Sequence, residues 1–255
     1  MNRTVADILS FLCDLAPLTL QLDFDNSGLL IGSEDRAVER ILLSLDITEA
    51  VVKEAVNEKA DLIIANHPVI FHPLKDLKSR PENKKILLMI HNGISAICMH
   101  TNLDIADGGV NDVLLECFSA KKESALCTDG LGRVGELHEP IPLEAFLSRC
   151  KRILHANGLR YISSGKDVRR IAVLGGSGAS AIRDAYEKNC DTFLTADIKY
   201  HDFMLAEELG LNLIDGDHFC TEDPVMDMLA MKLNAQFDDL HILKSRLHKQ
   251  IVQFY

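Results

Sequence analysis

Apolar residues along this chain fall into short unbroken runs that alternate with stretches of 3.6-residue period. Leu62-Ile63-Ile64-Ala65 is the clearest run. It is too short for a helix and is followed by a breaker at Pro68, so it predicts a strand buried on both faces. Pro68 also pushes His67 towards extended backbone. Runs at residues 41–45 and 94–99 read the same way, with helical stretches at 48–59 and 82–92 between them, the second closed by Gly93 as a C-cap. A second round begins at Arg170, with strands at 171–174, 192–195 and 211–214. Its helices lie at 179–188 and 200–209, and Gly210 closes the latter. Before the first round, Thr4 caps a helix carrying Asp7 in its first turn and Ile8, Leu9, Phe11, Leu12 and Leu15 on one period. Between the rounds, residues 133–138 predict a strand, Pro142 opens a helix, and 159–162 predict another strand. Strand and helix in alternation define an α/β fold with parallel sheets.

The two rounds read as copies. Arg40-Ile41 precedes Asp61 by the same count as Arg170-Ile171 precedes Asp191, and Asn66-His67 falls opposite Ala196-Asp197. After a shorter connection, His100 and Asp104 fall opposite His218 and Glu222, both at an offset of 118. Such self-similarity predicts duplicated three-layer α/β units whose strand C-terminal ends face a shared metal-binding cleft; the alternative is chance convergence on common βα spacings. The expected boundaries are 1–125 for the first unit, completed by 218–255, and 126–217 for the second.

The polar residues at the strand ends supply the candidate chemistry. One histidine ending a strand is ordinary structure. Here His67, His100 and His218 each follow a strand, and the last two begin His-x-x-x-acid segments ending in Asp104 and Glu222. Imidazole and carboxylate are the ligands of zinc, iron, manganese and nickel sites, and a four-residue separation lets both face one centre if the segment turns helically. These five residues form the predicted metal set. Asp197 and His201, after the second copy's middle strand, are candidates for a general base or substrate contact, against a reading as solvated loop and helix start. Asp25, Asn26 and Gly28 are turn chemistry that could also line a pocket. Gly176 and Gly178, with Ala181, approximate a dinucleotide fingerprint with Asp197 as the ribose contact. That motif belongs at a first βα turn, however, and here it opens the second copy, so a tight structural turn is the stronger reading.

Composition narrows the partners. The chain has 255 residues, 47% hydrophobic and 25% charged, ordinary for a globular protein with a real core. A formal net charge of −11 argues against nucleic acid as the main partner. No run approaches the roughly 18 apolar residues of a membrane span, and no basic-then-apolar leader precedes Thr4. Seven cysteines without C-x-x-C fit reduced thiols and a cytoplasmic location. Cys220 lies between two candidate ligands, but thiolate sites use paired cysteines, and it is left out of the set.

The segments Asp25-Asn26-Ser27-Gly28-Leu29-Leu30-Ile31-Gly32, Asn66-His67-Pro68-Val69-Ile70-Phe71, His100-Thr101-Asn102-Leu103-Asp104 and His218-Phe219-Cys220-Thr221-Glu222 resemble the NGG-interacting-factor-three-like family, whose members are labelled GTP cyclohydrolase 1 type 2 homologues. The resemblance runs nearly end to end. It implies two similar α/β domains, a dinuclear metal site on His67, His100, Asp104, His218 and Glu222, and a toroidal homohexamer. It also implies a small-molecule, nucleotide-like substrate, hydrolysed by cyclohydrolase or phosphoesterase chemistry at a metal-activated water. The departure is Asn66, where the family carries a second histidine; a weak metal contact there, direct or through neighbouring groups, is expected. A non-enzymatic alternative, a metal-binding scaffold, metallochaperone or regulator, would use the same residues.

Overall fold

The computed structural model describes residues 3–255. The chain divides into two compact units, one formed by residues 1–107 and 226–249, the other by 108–225 and 250–255. The first crossing therefore falls at Asp107/Gly108 and not at 125. Residues 108–125 belong with the second unit because the strand they end in hydrogen-bonds into its sheet. Residues 218–225 also stay with the second unit.

The first unit opens with β1 (Arg3–Thr4) and α1 (Val5–Leu15). Thr4 and Asp7 form a reciprocal capping box at its start. There follow β2 (Gly28–Ile31), β3 (Ala37–Val38), β4 (Arg40–Ser44), α2 (Glu49–Asn57), β5 (Leu62–Ala65), α3 (Lys84–Asn92), β6 (Ser95–Cys98) and α4 (Thr101–Ile105). The second unit contributes α5 (Val110–Cys117), β7 (Lys121–Ala125), β8 (Arg133–Ile141), α6 (Leu143–Ile153), β9 (Arg160–Ile162), β10 (Val168–Ser177), α7 (Ile182–Glu187), β11 (Thr192–Ala196), α8 (Tyr200–Leu209), β12 (Asn212–Asp215) and α9 (His218–Glu222). The chain then returns to the first unit with α10 (Pro224–Gln236) and β13 (His241–Lys244).

The first sheet runs β13-β4-β5-β6-β2, all parallel except β2. Every residue of β5 and β6 is buried, as the unbroken apolar run demands of a strand covered on both faces. Leu42, Ile63 and Ala96 pack with Val51, Val52 and Ala55 of α2 and Ile86 and Met89 of α3, while the alternate residues Ile41, Leu43, Ile64 and Ile97 are buried on the opposite face. The second sheet runs β7-β8-β10-β11-β12-β9. One face sets Ile171, Val173, Leu194 and Ile214 against Phe118 and Phe146 beside α5 and α6. The other sets Ala172, Phe193 and Leu213 against Ile182 and Ala185 of α7 and Ala206 of α8. This unit is three layers deep.

The repetition is visible in the hydrogen bonds. Asp61 Oδ2 accepts the amides of Glu39 and Arg40 at 2.8 and 3.0 Å; 130 residues on, Asp191 Oδ2 accepts those of Arg169 and Arg170 at 3.0 and 2.7 Å. In both units an antiparallel strand that precedes the first parallel strand, β2 or β9, flanks the third, β6 or β12. The third strands lie 117 residues apart in register, Ser95 pairing with Leu62 as Asn212 pairs with Thr192. His100 and His218 are 118 apart, so the second copy holds one additional residue before its histidine, Asp217, at φ +70°.

Candidate metal centre

In the first unit the site is built at the carboxyl ends of β4, β5 and β6. His67 follows β5 by two residues, and its Nδ1 lies 2.8 Å from Asp46 Oδ1, which follows β4. His100 follows β6, and its Nδ1 lies 2.7 Å from Asp25 Oδ1. The two imidazoles stand edge to face with centroids 5.5 Å apart. Asp104 occupies α4 one turn beyond His100, its amide donating to the His100 carbonyl at 3.0 Å.

Asp25 is the hinge of its loop. Its second oxygen accepts from the Thr101 amide and hydroxyl and from Ser27 Oγ. Burial works to raise its pKa, but the bonds from His100 and Thr101 more than offset burial and hold the carboxyl well below the ordinary carboxylate range. Asp46 behaves alike: burial opposes ionisation, and contacts from His248 and His67 overcome it. Its second oxygen is 3.2 Å from His248 Nε2. Asn26 serves structure, its side-chain amide donating to the Ile70 carbonyl at 2.6 Å. Gly28 enters β2 at φ +115°, a conformation that favours glycine.

In the second unit, α9 carries His218 and Glu222. His218 Nδ1 is 2.7 Å from Asp197 Oδ2, and His218 Nε2 is 3.2 Å from Glu222 Oε2. Two ligands held about 2.0–2.1 Å from a tetrahedral ion stand about 3.3 Å apart, so this pair has the spacing of two ligands on one cation. Asp197 is left-handed, at φ +56°, a strained conformation for a side-chain-bearing residue of the kind that clusters at functional sites.

The glycines of β10 form the floor beneath α9. A Cβ on Gly176, which sits at φ +66°, would lie 2.1 Å from Glu222 Oε1 and 3.0 Å from His218 Nε2. Gly176 N donates to Thr221 Oγ1, and Gly175 N to Asn111 Oδ1. A Cβ on Gly178 would meet Thr195 Oγ1 at 2.2 Å. β10 runs through Ser177, so these glycines are strand and close packing, not a phosphate loop, and the dinucleotide alternative is set aside.

All three histidines thus present Nδ1 to a carboxylate. With Nδ1–H donating to an ionised acid, the neutral ring carries its lone pair on Nε2, which is how a protein orients imidazole towards a metal. The donor set, imidazole and carboxylate, fits a divalent zinc, iron, manganese or nickel ion. Asn66, next to His67, is fully buried, and neither its Oδ1 nor its Nδ2 meets a hydrogen-bond partner. Cys220 packs into the hydrophobic core of its unit.

The two candidate base or substrate residues are placed differently: Asp197 contacts His218, and His201 lies exposed on α8 beside the Tyr200 ring. Two residues escaped the sequence reading. Asp46 had a signal: it precedes His67 by 21 residues, as Asp197 precedes His218 by 21. His248 had none.

These features define an α/β protein of duplicated units that set carboxylate-backed histidines at the ends of their parallel strands. The sequence pattern of the Duf34/NIF3 (NGG1p interacting factor 3) family matches residues 3–251, and the chain belongs to that family. It is 34% identical to a GTP cyclohydrolase 1 type 2 homolog of Clostridium perfringens, over 97% of this chain and 98% of that one. It is 36% identical to a GTP cyclohydrolase 1 type 2 of Helicobacter pylori, over 86% of each. Among solved structures, a hypothetical protein of Staphylococcus aureus superposes with a TM-score of 0.93 at 28% identity, covering both chains fully. Reduced HcgD from Methanocaldococcus jannaschii superposes with 0.87 at 31%, over 97% of this chain and 99% of that one. No helix among the described residues is long and apolar enough to cross a membrane.

Proposed function

We propose that the chain is a metal-dependent hydrolase whose metal ligands are His67, His100 and Asp104 in the first unit and His218 and Glu222 in the second, holding two divalent ions. The observation that carries this reading is the carboxylate on Nδ1 of each histidine, repeated three times from three separate loops. A structural histidine has no need of that arrangement, whereas a ligating one gains orientation and basicity from it.

When bound, the ions would lower the pKa of a coordinated water towards about 7 and polarise a substrate oxygen. The remaining work belongs to the chain. Asp25, Asp46 and Asp197 fix ring orientation and tautomer, leaving Nε2 of each histidine as a lone-pair donor. Glu222, 4% exposed, is held against His218 by the glycine floor. The relatives' name supports GTP as the first substrate to try, with phosphoesters next.

Anaerobically purified protein is expected to carry one to two equivalents of a first-row metal by elemental analysis. Turnover of GTP or a phosphoester is expected to vanish on chelation and return with that metal. Protein that neither retains nor rebinds metal overturns the centre. Metal without turnover on either substrate class overturns the hydrolase reading in favour of a metal carrier.

A further inference from the structure

Phe24 and Phe71 stand beside the first unit's ligands with nothing in the core to explain them. Phe24 is 62% exposed and Phe71 38%, although large aromatic rings bury well and dominate the energetics wherever they are covered. Their centroids are 6.3 Å apart at a 55° tilt. Phe71 also stands edge-on to the His100 ring at 6.2 Å, and His100 in turn stands edge-on to His67. Four rings therefore run in a row from an exposed edge to the candidate ligands.

The row is rigid from below. Phe24 immediately precedes Asp25, whose carboxylate holds His100 and Thr101. Ile70, immediately before Phe71, accepts from Asn26. The backbones under both rings are thus tied to one another and to the loop that orients His100. An exposed aromatic pair on a pinned backbone can receive a flat partner with little loss of its own freedom, the condition under which preorganisation strengthens binding.

We propose that Phe24 and Phe71 are a stacking platform for the planar heteroaromatic ring of the substrate, set beside the metal ligand His100. This rests on the metal-centre reading and adds the residues that hold the substrate's ring, an unsaturated nitrogen heterocycle such as a purine or a pteridine. Stacking is tolerant of ring identity because every such ring has a π face. The platform therefore selects for flatness, and the atoms attacked are chosen by the ring's reach to the centre.

The test measures metal content and ring binding separately, on the full-length protein as purified anaerobically. Calorimetric titration uses GTP, UTP and pterin as ring probes, with ribose 5-phosphate and inorganic triphosphate as ring-free controls, on the wild-type chain and on Phe24→Ala, Phe71→Leu and the double variant. Because both rings are solvent-facing, the variants are expected to fold, checked by circular dichroism, and to keep their metal. Loss of one stacked ring is expected to weaken GTP and pterin about 10- to 100-fold while leaving triphosphate binding unchanged. Equal affinity for GTP in wild type and double variant overturns the proposal, as does a metal-bearing wild type that binds none of the ring probes. A change of oligomeric state in the variants, with ring binding intact, assigns the two rings to contact between copies instead. Wild-type protein without metal is a failure of the centre itself and is read from elemental analysis before any probe is added.

Discussion

Asp46, Asp25 and Asp197 each reach a histidine from a different part of the chain, and Asp46 and Asp25 are engaged on the second oxygen as well. Such partners fix both the ring's tautomer and its angle, and their loss from metal sites typically weakens binding about 10–100-fold. Asp46→Ala and Asp197→Ala are therefore expected to lose metal affinity by that factor in competition with a chromogenic chelator, with an unchanged circular dichroism spectrum. Undiminished affinity in both would show the pairs to be structural. Asn66 is a separate matter. A bare amide in full burial costs about 1–3 kcal/mol, and its oxygen is a ligand suited to harder cations than imidazole serves. Titration of the metal-free protein is expected to resolve one tight and one weak metal, with Asn66→His tightening the weak one. Two equal sites, or an unchanged profile in the variant, would remove Asn66 from the centre.

Elements were legible in proportion to how locally they are determined. β5 was read to the residue because an apolar run bounded by a breaker admits little else, and α3 and α8 end at Gly93 and Gly210, both at φ +64°. β10 was read too short, as residues 171–174, because the glycines continuing it to Ser177 look like a loop until the bulk of Glu222 above them is seen. β7, β13 and α10 were not read at all, since their sequences mix charged and apolar residues and their form comes from the partner strand or core they meet. For α5, where Asn111 reads as a helix entry, the seat is electrostatic. Asp112, 5% exposed, bonds Arg133 of β8 at 2.6 Å and Lys122 of β7 at 2.9 Å. Burial alone would raise the Asp112 pKa, but Lys122, the Gly108 amide and Arg133 more than offset burial and lower it from 3.8. A lowered folded-state value contributes stability above the unfolded value, and that contribution is lost as pH falls through the folded one. Asp112→Asn, which leaves buried Arg133 facing a neutral partner, is expected to cost about 3 kcal/mol at pH 7. Denaturant midpoints should show the gap between variant and wild type shrinking as pH falls below about 3.8. A gap independent of pH would mean that packing, not charge, seats α5.

For the whole molecule, the duplication was legible because it is written in spacing, which a single sequence displays. The unit boundaries were not, since membership depends on which sheet a segment joins. We propose, from the resemblance read in the sequence, that the purified chain is a homo-oligomer, with the hexamer as the expected state. Light scattering that returns a particle of 28.3 kDa at micromolar concentration would count against it. The route of the chain has a consequence for its synthesis. The polypeptide leaves the first unit at Asp107 and comes back only at Met226, so on the ribosome β4 is an edge strand for more than a hundred residues before β13 arrives to pair with it. Glu54 of α2 waits as long, its carboxylate bonded in the finished protein by Ser245 and by the Arg246 amide. An unpaired strand edge is a template for pairing with another chain, the hazard that chaperones exist to manage. The first unit's sheet, although begun first, is thus the last to close.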